Sequence, residues 1–507
     1  MEPAVLGHSP ADHSNSAQLS FDKVDGMRVL MVASEGEPFA KTGGLADVLG
    51  ALPRALVRLG HEVDVVMPRY RGIEAEPIGR VTVTLGGMVV DAAILAATRD
   101  GVRTVFVDHP DYFDRDYLYG ASGHDYPDNP ERFAFLTLAA LTWAFESAVR
   151  YDVAHAHDWQ TGLLPVQLTQ LFRMRRVSRR IPCVFTIHNL AYQGVFDASW
   201  LPRLGLPWDL MHLDAMEYWN RISYLKAAIN FSRLITTVSP TYAREIQTPA
   251  LGFGFDGILR ARHADLVGIL NGIDYDQWDP ATDPHLPEPF DARKLDGKAA
   301  AKRLVLATYG FPDTSELRAK PLVAIISRLV DQKGFDLLGD LVDELPRLGA
   351  TFVVLGDGDR PYEDLWLGLA ARHPDTIGVR IGFDEPLSHL IEAGADLFLM
   401  PSRFEPCGLN QMYSLRYGTI PLVHATGGLL DTVRNFDPVT GEGTGFTFDQ
   451  YSSQALINTL RWALDIYRER DVWRRIQMAG MSQDFSWDAS ARQYVKVYER
   501  AAQGVWA

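Results

Sequence analysis

Short apolar segments alternate with helical segments along most of the chain and predict two βαβ series. The first series begins with an apolar run at residues 28–34, continues with a helix over about 46–59 that ends at Gly60, and returns as a strand at 61–67. Short runs that are apolar on both faces are typical of buried parallel strands. The further strands predicted in this series lie at residues 153–156, 182–187, 234–238 and 266–270.

A second series follows a proline-rich stretch. Residues 280–289 contain four prolines and no periodicity, which predicts an inter-domain linker. The pattern therefore predicts an α/β protein with two doubly wound Rossmann-like domains facing across a cleft, at residues 27–270 and 271–484. The C-terminal segment, 485–507, is predicted to be a helix that packs back on the first domain. The strands predicted in the second series lie at residues 321–327, 351–355, 377–381, 396–400 and 420–423.

Four segments depart from this alternation. Residues 81–107 alternate polar and apolar positions, with glycine turns after residues 85 and 99, and predict antiparallel strands. Residues 111–130 are rich in Tyr, Asp and Gly, so we predict a long surface loop whose tyrosines stack on sugar rings or simply pack. A helix is predicted near 215–231. The polar residues 1–26 predict a disordered tail rather than a targeting signal.

Composition argues against several classes of function. The chain has 49 Lys and Arg against 64 Asp and Glu, a net charge of −15, which disfavours nucleic acid and anionic membranes as partners. No apolar run reaches the roughly 18 residues needed to span a membrane. Only two cysteines, Cys183 and Cys407, are present, which excludes a disulfide framework and favours a reducing, cytoplasmic location. Asp357 and Asp359 have the spacing of a metal-binding pair, but a glycine-rich turn needs no ligand, so we expect neither metal nor cofactor.

One carboxylate stands out by its position. Glu405 lies in the turn between the strand at 396–400 and a helix predicted from Gly408. Ligands of open α/β sheets bind at this edge of the sheet. The free N–H groups of Gly408 and Leu409 at the helix start suit an anion such as phosphate. A second glycine turn at 426–428 follows the next strand, and the two turns beside one carboxylate predict a pocket for a phosphorylated sugar.

Two cations accompany this carboxylate in the second series. Arg328 and Lys333 lie five residues apart on a strand-to-helix loop, where they could grip a diphosphate, Arg through its fork and Lys as a point charge. They would then stabilise the charge that develops on a leaving group. A solvated surface pair is the alternative interpretation.

Polar residues also follow the strands of the first series. Lys41 lies beside glycines in the first βα turn, which is not a GxGxxG fingerprint but could contact a phosphate or sugar. His188 follows a strand directly and precedes Asn189, which favours a ligand contact, although a lone histidine is more often a core residue. Asp158 could be only a helix N-cap. We interpret Cys407 as a small residue that permits close ligand approach.

Eight separated stretches together resemble bacterial glycogen synthases and plant starch synthases, which are retaining glucosyltransferases of the two-Rossmann GT-B fold. The matches extend over residues 27–500 or so, and their joint specificity is high. The stretches are residues 41–48, 155–159, 186–194, 237–243, 270–274, 327–329 with 332–334, 401–409 and 425–429.

The resemblance implies transfer of glucose from ADP-glucose to the non-reducing 4-OH of an α-1,4-glucan, with retention, the first domain lying on the acceptor side and the second on the nucleotide-sugar side. It implies that Glu405 binds the donor glucose and favours positive charge at its anomeric carbon, that Arg328 and Lys333 hold the diphosphate, and that His188 and Asp158 line the sugar site. The other binding residues it implies are Lys41, Gly43, Gly44, Asp47, Asn189, Asn271, Phe383, Cys407, Gly408, Leu409, Thr426, Gly427 and Gly428.

Two positions depart from related enzymes. Tyr413 stands where the wider retaining group often has a second Glu, which the synthase branch also lacks, and Phe383 stands where some relatives have Tyr. Phe383 could stack on a base or simply pack. Two alternatives stay open: a related glycosyltransferase that uses another acceptor or UDP-glucose, and a non-catalytic glucan-binding protein. Decay of the site would remove Lys41, Arg328, Lys333 or Glu405, all of which are present.

Overall fold

The computed structural model describes residues 26–121, 123–174 and 180–503. The predicted disordered tail therefore lies outside the described residues, apart from Gly26. The strands in chain order are β1 (Arg28–Val32), β2 (Glu62–Pro68), β3 (Glu76–Leu85), β4 (Met88–Arg99), β5 (Val102–Asp108), β6 (Gly120–Ala121), β7 (His124–Asp125), β8 (Val153–His157), β9 (Cys183–Ile187), β10 (Val195–Asp197), β11 (Glu217–Tyr218), β12 (Arg221–Ser223), β13 (Leu234–Thr237), β14 (Leu266–Gly268), β15 (Leu322–Ile326), β16 (Thr351–Gly356), β17 (Ile377–Ile381), β18 (Leu397–Met400), β19 (Ile420–His424) and β20 (Phe446–Phe448).

Most of the connections between strands are helical. The helices are α1 (Gly44–Arg58), α2 (Pro110–Phe113), α3 (Asn129–Glu146), α4 (Leu164–Arg173), α5 (Trp200–Arg203), α6 (Tyr224–Phe231), α7 (Pro240–Glu245), α8 (Asp256–Ala261), α9 (Asp296–Thr308), α10 (Ser315–Ala319), α11 (Phe335–Gly339), α12 (Arg360–Arg372), α13 (Glu385–Gly394), α14 (Asn410–Arg416), α15 (Gly427–Thr432), α16 (Ser453–Arg468), α17 (Arg470–Met481) and α18 (Trp487–Ala502).

The first sheet has nine strands in the order β14-β13-β9-β8-β1-β2-β5-β4-β3. The seven strands from β14 to β5 are parallel, and β4 and β3 extend the sheet as antiparallel strands, as the alternating pattern predicts. Met31 of β1 lies between Val65 of β2 and His155 of β8. Because the chain order reverses between β1 and β8, the loops that follow these two strands diverge and leave a crevice.

The second sheet has six parallel strands in the order β17-β16-β15-β18-β19-β20. This is the Rossmann order, and it reverses between β15 and β18. Two doubly wound Rossmann-like domains, as predicted, are therefore confirmed. Each domain has a switch point at which the loops after two neighbouring strands part.

Both faces of each sheet are covered, which explains why the strands are apolar throughout. In β1, Leu30 and Val32 join the core on one face, whereas Val29 and Met31 join the core on the other. In β15 the consecutive residues Leu322 and Val323 likewise point to different cores, one on each face of the sheet. Parallel sheets buried on both faces require this continuous apolar pattern.

Helix α18 returns to the first domain after the second domain is complete. Tyr494, Val497 and Tyr498 pack into the core formed by β1, β2 and α1. The N–H of Ile273, where the chain leaves the first domain, donates to the carbonyl of Phe485, where it returns, at 2.8 Å. The outgoing and returning segments therefore lie side by side.

The proline-rich linker is packed against the second domain. The buried Asp283 carboxylate accepts hydrogen bonds from Tyr417 at 2.5 Å and is paired with Nδ1 of His389 at 2.8 Å. The ring of Trp278 lies between those of His389 and Tyr413, with both centroids 3.7 Å away. The linker therefore has fixed anchors, although its composition is that of a loop.

Two predictions are wrong. Residues 111–130 include part of α2, the β6–β7 ribbon and the start of α3, because Tyr112 and Phe113 are buried in the first core. The helix predicted near 215–231 begins only at Tyr224, where the Ser223 side chain accepts from the Lys226 N–H as an N-cap. The residues before it form the β11–β12 hairpin. Among the described residues, no helix combines the length and apolar character needed to cross a bilayer.

Candidate active site

Glu405 and Lys333 form a partly buried ion pair at the switch point of the second sheet. Glu405 follows β18 and is 6 % exposed, and Lys333 follows β15. Lys333 Nζ donates to Glu405 Oε2 at 2.5 Å, and Ser402 Oγ donates to the same oxygen at 3.0 Å. Glu405 Oε1 has no such protein donor in the described chain. One carboxylate oxygen is therefore held in place while the other is free to meet a ligand.

The Gly427–Gly428 pair holds the Glu405 turn. The N–H of Gly428 donates to the carbonyl of Glu405 at 3.1 Å. A Cβ atom on Gly427 would lie 1.9 Å from that carbonyl oxygen, and one on Gly428 would lie 2.1 Å from the carbonyl oxygen of Cys407. Only glycine permits so close an approach of two backbones.

We expect Gly427→Ala to destabilise the protein and disturb the Glu405 turn. The residue has φ +46, and left-handed backbone strain alone costs about 1–3 kcal/mol. The free energy of unfolding, measured in urea, should fall by at least this amount, and any activity that depends on the Glu405 turn should weaken. The control is Gly257→Ala in α8, where a Cβ would meet no heavy atom within 4 Å and stability should change little. Equal effects of the two substitutions would contradict the close-packing argument.

Arg328 is exposed at the same edge of the second sheet. Its guanidinium has no ion-pair or hydrogen-bond partner within residues 26–121, 123–174 and 180–503. The neighbouring Leu329 exchanges backbone hydrogen bonds of 2.7 and 2.8 Å with Asp357 and Asp359. The glycine-rich turn around those aspartates therefore braces the Arg328 loop, and Arg328 is available to an anionic ligand.

The predicted backbone donors differ in their availability. The N–H groups of Gly408 and Leu409 have no acceptor in the described chain and precede α14. By contrast, Thr426 Oγ1 and the Gly427 N–H both donate at 3.0 Å to Oε1 of Glu245, which comes from the first domain. The role of this second turn in ligand binding stays a prediction, and Glu245 is a residue that the sequence reasoning missed.

Asp158 follows β8 at the switch point of the first sheet, and His188 lies beside it after the neighbouring strand β9. Asp158 Oδ1 accepts from the backbone N–H of His188 at 2.8 Å. Asp158 does stand at the N-cap position of the turn Trp159–Thr161, as the alternative interpretation predicts, but its side chain makes no capping bond there. Asp158 has φ 55, a left-handed conformation that is uncommon for a non-glycine residue and clusters at functional sites. The carboxylate joins two strand ends instead of starting a helix.

Enclosure of its carboxyl group raises the pKa of Asp158 to about 7, although hydrogen bonds from the backbone of His188 and Asn189 lower it. The folded protein then retains a proton that the unfolded chain, with an ordinary pKa near 3.9, releases. The stabilisation from this proton is complete below pH 4 or so and is lost as pH rises through about 7.

We therefore expect the stability of Asp158→Asn relative to wild type to increase between about pH 4 and 7 and to level off above that range. The amide keeps an oxygen that can accept from His188, but it has no proton to lose. Urea unfolding at pH 5, 6, 7 and 8 measures the difference in unfolding free energy. Substitution of the exposed Asp375 by Asn is the control, and a difference independent of pH for Asp158→Asn would contradict the assignment.

The Lys41 loop lies beside this switch point. Lys41 Nζ pairs with Asp47 at 2.8 Å and with Glu37 at 3.2 Å. Gly43 and Gly44 are exposed, and a Cβ on either would meet nothing within 4 Å, so the loop has room for a ligand. The loop predicted for substrate contact is thus open, but Lys41 is paired within its own domain.

Glu35 fixes this loop and was missed by the sequence reasoning. Its carboxylate is 4 % exposed and accepts from the Thr42 N–H at 2.5 Å and from Tyr119 OH at 3.1 Å. Burial raises the pKa of Glu35, against the effect of these hydrogen bonds. Glu35 lies in the loop three residues past the end of β1, so the rule that polar residues after parallel strands mark the site could have found it.

The remaining predicted residues lie in different settings. Cys407 is buried, which raises the pKa of its thiol to about 12 and fits a small packing residue rather than a thiolate. Asn271 lies beside it, and Asn271 Oδ1 is buried without a hydrogen-bond partner in the described chain. Asn189 Oδ1 accepts from the Ala191 N–H at 3.1 Å and shapes its own loop. Phe383 is 80 % exposed, so it does not pack as a core residue.

The two switch points face a common crevice. Ser239 Oγ of the first domain donates to the carbonyl of Pro406, the neighbour of Glu405, at 2.7 Å. The rings of Phe253 and Phe404 meet edge to face at 5.5 Å. Tyr242 of the first domain is close enough to both Asp158 and Glu405 for their charges, together with burial, to raise its pKa. The elements that carry Glu405 and Asp158 are therefore adjacent.

Comparison with known proteins agrees with this geometry. Residues 28–261 match the starch synthase catalytic domain family, and residues 312–477 match the glycosyl transferases group 1 family. Proteins named glycogen synthase from Koribacter versatilis (strain Ellin345) and Anaeromyxobacter dehalogenans (strain 2CP-1 / ATCC BAA-258) are 47% and 49% identical to the chain. Each match covers 94% of this chain and at least 99% of the relative.

Solved structures extend the comparison. The catalytic domain of starch synthase IV from Arabidopsis thaliana, bound to ADP and acarbose, is similar with a TM-score of 0.85 and 35% identity, over 94% of this chain and 100% of that one. Sucrose-phosphate synthase from Thermosynechococcus elongatus shares the fold, with a TM-score of 0.60 and 16% identity over 94% of this chain. Relatives that are nearly half identical over 94% of this chain decide the assignment: the chain belongs to the family of glycogen and starch synthases, glucosyltransferases of the GT-B fold.

Proposed function

We propose that the protein is a glycogen synthase that transfers glucose from ADP-glucose to the non-reducing 4-OH of an α-1,4-glucan, with retention of configuration. The observation that carries this proposal is the Lys333–Glu405 pair at the second switch point, with the unpaired Arg328 at the same sheet edge. The similar starch synthase IV domain was solved with ADP and acarbose, which supports ADP-glucose as the donor and a glucan as the acceptor.

The second domain would hold the donor. Arg328 and Lys333 would bind its diphosphate, and both would stabilise the charge that develops on the departing ADP. The free oxygen of Glu405 would accept hydrogen bonds from the donor glucose, and its charge would favour positive charge at the anomeric carbon. A bound diphosphate would share the Lys333 ammonium with Glu405, so the ammonium would hold the phosphate and the carboxylate beside the same reacting sugar.

The first domain would supply the acceptor side. Asp158 Oδ1 accepts from the His188 N–H, and the pKa of Asp158, raised to about 7 by burial, leaves much of it protonated near neutral pH, so it is a weak nucleophile. We therefore favour a front-face transfer in which the departing phosphate takes the proton of the acceptor hydroxyl as the new bond forms. Closure of the crevice would exclude water, whose attack would otherwise hydrolyse the donor. Trapping of a glucosyl ester on a carboxylate of the enzyme would contradict this mechanism.

Donor turnover tests the proposed activity. Purified protein is assayed with ADP-glucose and UDP-glucose, each with and without glycogen, by release of the nucleoside diphosphate and by growth of the glucan. We expect rapid turnover of ADP-glucose only when glycogen is present. Preference for UDP-glucose would correct the donor, and turnover that is independent of any glucan would overturn the acceptor.

The alternatives have less support. The sucrose-phosphate synthase likeness, at 16% identity, shows the fold alone and does not favour a sugar-phosphate acceptor. The presence of every predicted charged residue argues against a non-catalytic protein. A cytoplasmic location is part of the proposal. It is supported by Cys183 and Cys407, which are both buried and form no disulfide.

A further inference from the structure

Two histidine rings are joined at the first switch point. His157 is the last residue of β8, and His188 follows β9, the neighbouring parallel strand. Nδ1 of His157 lies 3.1 Å from Nε2 of His188, and the ring centroids are 5.4 Å apart. His157 is fully buried, whereas His188 is half-buried at the crevice. The contact therefore links an enclosed ring to one that a ligand can reach.

Both rings are neutral. Burial holds the pKa of His157 well below its ordinary value, and the neighbouring rings of His155 and His188 further disfavour a proton there. Enclosure also lowers the pKa of His188 to about 3. A neutral imidazole carries one proton, on either of its two nitrogens. A hydrogen bond between two such rings needs one of them to donate and the other to accept.

The surroundings of His157 distinguish the two arrangements. If His188 donated from Nε2, the proton of His157 would have to sit on its own Nε2, which is buried with no partner in the described chain. If His157 donates from Nδ1, its Nε2 is only an unused acceptor. Orphaned buried N–H groups are rarer in proteins than under-used acceptors, which favours the second arrangement.

We propose that His157 is a positioning residue that donates from Nδ1 to His188 and so fixes the tautomer of His188 with its proton on Nδ1. Nδ1 of His188 has no partner in the described residues and is not among their fully enclosed atoms. His188 then offers an N–H to an oxygen of the bound sugar and acts as a neutral donor, not as a base. This inference rests on the proposed function for its substrate, but the tautomer itself does not.

A matched pair of substitutions tests the role of His157. Asparagine and leucine have similar shapes, and only asparagine can place an N–H where Nδ1 of His157 lies. We expect His157→Asn to keep kcat/KM for ADP-glucose within about threefold of wild type and His157→Leu to lower it about tenfold, with unfolding midpoints of the two variants alike. Equal activity of the leucine variant and wild type would overturn the proposal.

Nitrogen NMR of protein labelled at its 14 histidines reads the tautomer directly. Protonated and bare ring nitrogens have different ¹⁵N shifts, and the His188 signals are those missing from His188→Asn. We expect the proton on Nδ1 in wild type and in His157→Asn, and a shift towards Nε2 in His157→Leu. A wild-type proton on Nε2 would overturn the proposal even if His157→Leu fails to fold. Because this measurement needs no substrate, it is independent of whether the proposed transfer reaction is found.

Discussion

Replacement of Glu405 by glutamine should lower kcat for glucosyl transfer by about 1,000-fold, which corresponds to about 4 kcal/mol of transition-state stabilisation. The amide keeps the shape of the side chain, so it can still accept from Ser402, which donates to Glu405 at 3.0 Å. It has no charge with which to favour positive charge at the anomeric carbon. The effect should therefore fall on kcat, with a smaller change in KM for ADP-glucose.

Steady-state kinetics with glycogen in excess measures this effect, and calorimetric unfolding shows whether the variant is folded. Glu442→Gln is the control, because Glu442 forms an exposed surface pair with Arg434 in the same domain. Wild-type rates in Glu405→Gln would show that the carboxylate is not part of the catalytic machinery. A collapse of folding in Glu405→Gln would instead assign the residue to stability.

Replacement of Lys333 by alanine should also reduce transfer by two orders of magnitude or more, but with a different kinetic signature. Lys333 is the cation nearest Glu405, and a bound diphosphate would need it in both the ground state and the transition state. We therefore expect KM for ADP-glucose to rise together with the fall in kcat. Removal of one partner of a buried pair also leaves an uncompensated charge on Glu405, so unfolding should occur at a lower temperature.

The control for Lys333→Ala is Arg403→Ala, since Arg403 lies in the Glu405 turn but pairs with Asp336 on the surface at 2.7 Å. Exposed pairs contribute about 0–1 kcal/mol, so this variant should keep its stability and activity. An equal loss of transfer in both variants would show that the turn as a whole, rather than the Lys333 ammonium, is needed. Inhibition by free ADP should weaken only in Lys333→Ala.

Much of the fold was predictable because each buried strand is short, apolar and followed by a polar turn. Gly60, predicted to end α1, has φ +92 just past that helix, as a glycine at this position should. The position of Glu405 followed from the same logic, since a strand ends at Met400 and a helix starts at Asn410. Such features depend on local sequence alone.

Contacts that depend on how the domains meet were not predictable. Glu245 of α7 binds the start of α15, and Asp431 of α15 accepts from the N–H of Thr241 at the start of α7, at 2.7 Å. These reciprocal contacts join residues more than 180 positions apart in the sequence. Neither helix has a sequence motif from which its partner could be predicted. The β11–β12 hairpin was likewise mistaken for helix, because tertiary packing overrode a weak periodic pattern.

The chain crosses between the domains twice. The hydrogen bond from the Ile273 N–H to the Phe485 carbonyl joins the two crossing segments. Two covalent connections that lie side by side act as a hinge between the domains. They permit rotation of one domain relative to the other about an axis through the two connections. They resist sliding or twisting of one domain against the other. Opening and closing should therefore separate the two domain faces that line the crevice and return them to the same alignment. Each turnover would then begin with Glu405 and His188 opposite the same partners.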